Sequence, residues 1–184
     1  MKRKKMSIRS VVAIGIGTAL FVVLSYISIP LVLIPNTSIQ TRVALLSYMT
    51  AIFGPVVGGV IGFLGHMLAD AIQYGSVWWS WVFPEAVFGL ILGLFYRYYG
   101  IEDGDFRKKK IIVFQVVQVV ANVIAWVVVA PTLDILIYAE PVNKVFVQGV
   151  LASIGNIITV GILGVVLASA YSKMRWKANS LTKE

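Results

Sequence analysis

Residues 65–81 read GHMLADAIQYGSVWWSW, a histidine, an aspartate, a glutamine, a tyrosine and three tryptophans set between two strongly apolar stretches. Where this run lies relative to a bilayer decides how the chain is read. Of the 184 residues 59% are hydrophobic and 13% charged, and the mean hydropathy is +0.87. A water-soluble domain carries roughly 25% charged residues, so lipid is the expected solvent. Without cysteine there is no disulfide, thiolate nucleophile or cysteine metal site, and one histidine cannot build a multi-histidine cluster. No cofactor is expected. The N-terminal MKRKKMSIRS has the charge of a secretory leader, but a long apolar run and further apolar segments follow, so it reads as retained.

The net charge of +8 is not spread as a nucleic-acid-binding surface would need. Basic residues gather at Lys2–Lys5 with Arg9, at Arg97 and Arg107–Lys110, and at Lys173, Arg175, Lys177 and Lys183; only Arg42 and Lys144 fall elsewhere. That is the positive-inside pattern of cytoplasmic loops. Apolar stretches over about 9–29, 41–53, 56–73, 82–99, 111–131 and 145–172 predict an all-α membrane protein, a single domain over 1–184. It is a bundle of six transmembrane helices with both termini cytoplasmic. Gly54-Pro55 separates the second from the third, although residues 53–65 also read as one broken helix. The loops 30–40, 74–81 and 132–144 then fall outside, each marked by proline or glycine.

This topology sets the depth of each polar residue. His66 lies near mid-bilayer, with Asp70 on the same face one turn further out. Trp78, Trp79 and Trp81 follow in the outer loop, and Glu85 opens the fourth helix after Pro84. On the fifth helix Gln115, Gln118 and Asn122 form one stripe, with Trp126 a turn further out. On the sixth, Gln148 lies in the outer turns and Asn156 and Thr159 deeper. An ionisable group in a bilayer costs about 2.5–3.5 kcal/mol on insertion scales. Several from different helices at matching depth therefore predict a shared cavity opening outward.

Each group also has a structural reading. The tryptophans can form an interfacial belt, and His66 and Asp70 can satisfy each other. Gln115 fits interhelical bonding better than a pocket. Glu85 can serve as a favourable charge at a helix N-terminus. Asp134, Glu140 and Lys144 read as solvated loop residues, with Lys144 also placed to act as a lid charge. In the first helix Ala13 and Gly17, and Gly15 and Ala19, stand four apart, spacing that lets a second helix approach closely in lipid. There is no G-x-x-x-x-G-K-[ST] motif, so uphill transport would need an energised partner.

With these features the chain resembles the substrate-binding S components of energy-coupling factor (ECF) vitamin transporters. The residues that carry the likeness are the basic N-terminus, the small-residue stripe Ala13, Gly15, Gly17 and Ala19, and the stretches IPNTSIQTR, FGPVVGGVIGFLGHMLAD and YGSVWWSW. More closely, these stretches resemble a subgroup linked to hydroxymethylpyrimidine, a thiamine precursor, or to pyridoxine. The resemblance implies a transmembrane coupling subunit docked on the first helix, two ATPase subunits, and capture of a vitamin from outside followed by toppling in the bacterial membrane. It implies that the first outer loop, bearing Asn36 and Gln40, closes over the ligand. The expected ligand site comprises Asn36, Gln40, His66, Asp70, Trp78, Trp79, Glu85, Gln118, Asn122, Trp126, Gln148 and Asn156. Two other readings compete: a self-sufficient proton-coupled carrier using Asp70 or Glu85, and an intramembrane enzyme using His66 and Asp70.

Overall fold

The computed structural model describes residues 6–30 and 38–181. Helix α1 (Ile8–Ser25) starts at Ser7, whose hydroxyl accepts from the Ser10 N–H. A short antiparallel ribbon follows, β1 (Ser28–Pro30) paired with β2 (Ser38–Gln40), Ser28 opposite Gln40. Then come α2 (Arg42–Phe53), α3 (Pro55–Tyr74), α4 (Trp79–Gly93) and the single turn α5 (Tyr96–Tyr99). The remainder is two long rods. One is α6 (Lys108–Asn122), a π-helical segment π1 (Val123–Val129) and α7 (Ala130–Tyr138); the other is α8 (Val142–Thr159), π2 (Val160–Gly164) and α9 (Val165–Leu181).

Burial is inverted relative to a water-soluble bundle. Val11, Ile16, Val23, Ile112, Val116, Ile154 and Ile162 face outward, while Arg42, His66, Asp70, Glu85, Gln118, Asn122 and Asp134 are buried. A bundle solvated by lipid has this pattern. Among the described residues, four helices are long and apolar enough to cross a membrane: Ile8–Ser25, Pro55–Tyr74, Lys108–Tyr138 and Val142–Ala178. Arg42–Phe53 and Trp79–Gly93 are apolar but span only 12 and 15 residues, short of the roughly 20 a crossing needs. The six expected spans thus become four of crossing length and two shorter helices. The ribbon takes up the chain before α2, and α4 stops at Gly93, leaving Tyr96–Tyr99 as a separate turn.

Three local causes set these boundaries. Gly54, with φ at +88°, turns the chain between α2 and α3, and Pro55 opens α3; the stretch is two helices, not one broken one. Pro131 was expected to end the fifth helix, and it does not. It has no N–H to give, and the rod absorbs it by widening into π1, where the Ala130 N–H reaches back five residues to the Ala125 carbonyl. The Trp126 carbonyl, which would otherwise bond residue 131, lies against Gly149 of α8 so closely that a Cβ there would stand 2.2 Å from it. Third, α3 and α4 cross through glycines. A Cβ on Gly62 would meet the Glu85 carbonyl at 2.6 Å, and one on Gly89 would meet the Gly58 backbone at 2.5 Å. Small residues permit this approach in lipid, and it places Glu85 directly against α3.

The basic clusters meet at one end. Arg9 of α1 pairs with Glu102, and Arg175 of α9 donates to the Glu102 carbonyl at 3.2 Å. In the same loop Lys110 donates to Asp105 at 2.8 Å, and Arg107 lies 3.1 Å away. Lys110 first, and Arg107 after it, hold the Asp105 carboxyl below the usual carboxylate range. Arg42 starts α2 at the opposite end, where Ser25 ends α1 and Tyr74 ends α3.

Candidate functional site

At that opposite end the helices enclose a cavity of about 460 Å³. α3 supplies two residues of its floor. His66 and Asp70 share a helical face, with His66 Nε2 lying 3.6 Å from Asp70 Oδ1. α4 brings Glu85 to the other ring nitrogen, Oε2 standing 3.3 Å from His66 Nδ1 without the alignment of a hydrogen bond. α2 brings Arg42, whose Nη2 donates to His66 Nε2 at 3.2 Å and whose guanidinium lies 5.0 Å from the centre of the Phe21 ring. Glu85 is 1% exposed, and neither of its carboxylate oxygens has a hydrogen-bond partner. The same holds for the indole nitrogen of Trp126, buried in the wall.

The walls are aromatic and tied together by one carboxylate. Asp134 Oδ1 accepts from Trp78 Nε1 at 2.8 Å and from the Ser80 hydroxyl. Its Oδ2 accepts from Trp81 Nε1 at 2.9 Å. Trp78 stacks on Tyr138 with centroids 4.2 Å apart, and Trp81 meets Trp126 edge-on at 5.3 Å. Gly75, with φ at +70°, ends α3 and returns the chain so that the Trp78 N–H donates to Asp70 Oδ2 at 3.1 Å. Lys144 pairs with Glu140 at 2.6 Å at the mouth.

Of the expected residues, Gln40, His66, Asp70, Trp78, Glu85, Trp126, Gln148 and Asn156 line this cavity. Three do not. Trp79 packs on Phe63 and Phe83 and is 38% exposed, because adjacent residues of a helix point about 100° apart and Trp78 takes the inward direction. Gln118 and Asn122 are buried beneath the cavity. Asn122 donates to the Gln118 carbonyl at 2.9 Å and to its Oε1 at 3.0 Å, and Gln118 donates to Gln115 at 3.0 Å. Gln115 in turn donates to the Gly161 carbonyl at 2.8 Å, so this stripe joins α6 to π2. Asn36 lies outside the described residues.

Among the lining residues outside the expected ligand set are Arg42, Gln73, Trp81 and Asp134. Arg42 carried a signal, as one of two cations away from the basic clusters. Asp134 did not, since Pro131 made its segment read as loop. On α1 the two small-residue spacings separate. Ala13 and Gly17, expected on the docking stripe, face inward, and a Cβ on Gly17 would meet Ile61 at 2.5 Å. Gly15 has open space beside it, and Ala19 is exposed.

A family model described as "ECF-type riboflavin transporter, S component" matches residues 5–173. A UPF0397 protein of Clostridium perfringens (strain SM101) is 52% identical over 184 residues, covering 100% of both chains. The UPF0397 protein EAT1b_2102 of Exiguobacterium sp. is 49% identical over 176 residues, 96% of each. A UPF0397 protein of Lacticaseibacillus casei is 45% identical over 182 residues, 99% of this chain and 98% of that one. Among solved structures, the S-component for biotin from an ECF-type ABC transporter superposes with a TM-score of 0.64 over 90% of this chain and 94% of that one. At 13% identity the likeness is one of fold.

Proposed function

The chain belongs to the ECF-type riboflavin transporter S-component family, and from that premise we propose that its cavity captures a small, flat heteroaromatic vitamin or vitamin precursor, hydroxymethylpyrimidine first and pyridoxine next. It is a multi-pass membrane protein of bacteria and the substrate-binding subunit of a vitamin importer, not an enzyme; the reading of His66 and Asp70 as an acid–base pair for turnover is set aside. The observation that carries the ligand reading is that two residues lining the cavity, Glu85 and Trp126, each keep a buried polar group, a carboxylate and an indole N–H, without a hydrogen-bond partner. Buried polar groups are ordinarily satisfied, so a ligand with N–H donors along one edge and an acceptor along another completes the set. Trp78, Trp81 and Trp126 offer faces and edges for a flat ring. A volume of about 460 Å³ suits a small organic ligand, for which pockets run about 300–1,000 Å³.

Riboflavin stands in the description of the family model and biotin in that of the fold relative, so members of one fold differ in ligand. Mass spectrometry of small molecules released from protein purified without added ligand separates the cases. Hydroxymethylpyrimidine or pyridoxine is the expected mass, and riboflavin would replace that assignment. Release of no vitamin, with no binding of any of the three, would contradict vitamin capture in this cavity.

In this reading the cavity faces outside and the basic end faces the cytoplasm. Gly15 and Ala19 form the outward small-residue face of α1 on which a transmembrane coupling subunit docks, in a complex completed by two ATPase subunits. Co-purification of that complex from native membranes supports this; uptake by the lone chain in vesicles, abolished by an uncoupler, would favour the proton-coupled carrier instead.

A further inference from the structure

Resting on the proposed capture of a heteroaromatic vitamin, we infer that the cavity takes its ligand as a cation, a ring nitrogen holding a proton that it shares with Glu85, while the neighbouring His66 stays neutral. The tautomer follows from hydrogen-bonding capacity. A guanidinium only donates, so the contact from Arg42 Nη2 makes His66 Nε2 an acceptor. The ring's proton is then on Nδ1, facing Glu85 Oε2 at 3.3 Å. The groups around the ring come from five elements: Arg42 of α2, Asp70 of α3, Glu85 of α4, and the uncharged rings of Phe21 from α1 and Trp126 from π1.

Charge bookkeeping over the whole cavity gives the sign of the ligand. Its lining holds two cations, Arg42 and Lys144, and four carboxylates, Asp70, Glu85, Asp134 and Glu140. With His66 neutral the described lining is two negative charges in excess. Lys144 and Glu140 offset each other, and Asp134 is met by three donors. Asp70 accepts the Trp78 N–H. Glu85 is left with no hydrogen bond at either oxygen. The remaining cation, Arg42, is shared between Glu85 and Asp70. A buried carboxylate left short of both charge and hydrogen bonds is costly in a membrane protein, and a protonated ring nitrogen flanked by an amino group or hydroxyl meets it with a charge and aligned donors. Binding of a neutral ring base then draws one proton from water onto the ring nitrogen, forming an N–H bond directed at Glu85.

Proton uptake is read directly by calorimetry of the full chain in lipid nanodiscs, titrated with hydroxymethylpyrimidine in buffers of different ionisation enthalpy. The expected result is uptake of about one proton near neutral pH and affinity falling about tenfold per pH unit on the alkaline side. Glu85→Gln should abolish the uptake and Glu85→Asp, which keeps the charge, should retain it. Binding of hydroxymethylpyrimidine without uptake, and with affinity flat in pH, overturns the inference while leaving vitamin capture standing. Binding of riboflavin alone, again without uptake, does the same. Failure of hydroxymethylpyrimidine, pyridoxine and riboflavin all to bind removes the underlying reading and the inference with it.

Discussion

Asp134 holds two indoles and a hydroxyl with one carboxylate, at a position 3% exposed. Hydrogen bonds to a charged acceptor contribute about 1.5–3 kcal/mol each, and stranding buried donors costs a similar amount. Asp134→Ala is therefore expected to lower stability by on the order of 3 kcal/mol and to weaken ligand binding by loosening Trp78 and Trp81. Denaturation and binding measured on the same preparation check it; unchanged values in both would remove Asp134 from the wall's support. Trp126→Phe keeps a ring and deletes the unpartnered N–H. It should leave folding intact and reduce affinity roughly five- to tenfold, the worth of one hydrogen bond, in a ligand titration. Residues such as Glu85, Asp70 and Trp126 were legible in the sequence because an ionisable or aromatic group at matching depth on separate helices has few other uses in lipid. Trp79 was misplaced because direction around the helix was not read, and Asn122 because it points inward but lies beneath the cavity, bonded to Gln118. Three near-consecutive tryptophans cannot all face one cavity.

At the scale of helices, the decisive contacts are backbone to backbone. Gly62 lies where any side chain would press on the Glu85 carbonyl, so Gly62→Ala should displace α4 and with it the Glu85 carboxylate. We expect binding to fall by more than tenfold with a smaller loss of stability, compared by titration and melting; equal losses in both would indicate general misfolding instead. Hydrophobic runs made most helices readable, and the break at Gly54-Pro55 was visible as a turn signal. Pro131 misled because proline is an ordinary helix stop, and nothing in a linear pattern shows that π1 lets the rod continue. That continuation carries Asp134 over the cavity. The fourth helix also looked like a full span, since apolar composition does not show where the turn after Gly93 interrupts the chain; the second already read as short at 41–53.

Across the whole molecule, the ends are chemically distinct: basic clusters joined through Glu102 and Asp105 at one, the acidic, aromatic cavity at the other. Charge placement along the sequence was enough to foresee that separation, and inverted burial follows from it once lipid is the solvent. The face of α1 is where a partner would be read. Gly15→Leu projects into open space and should block assembly with a coupling subunit while sparing ligand capture. Gly17→Leu collides with Ile61 and should damage both, a contrast that pull-down and binding assays resolve. A ligand-bound structure of the full chain, by cryo-electron microscopy, puts the cavity itself to the test. Density for a flat ring between Glu85 and Trp126 is the predicted result; ligand density elsewhere on the bundle, or lipid tails filling the space beside Glu85, would contradict it.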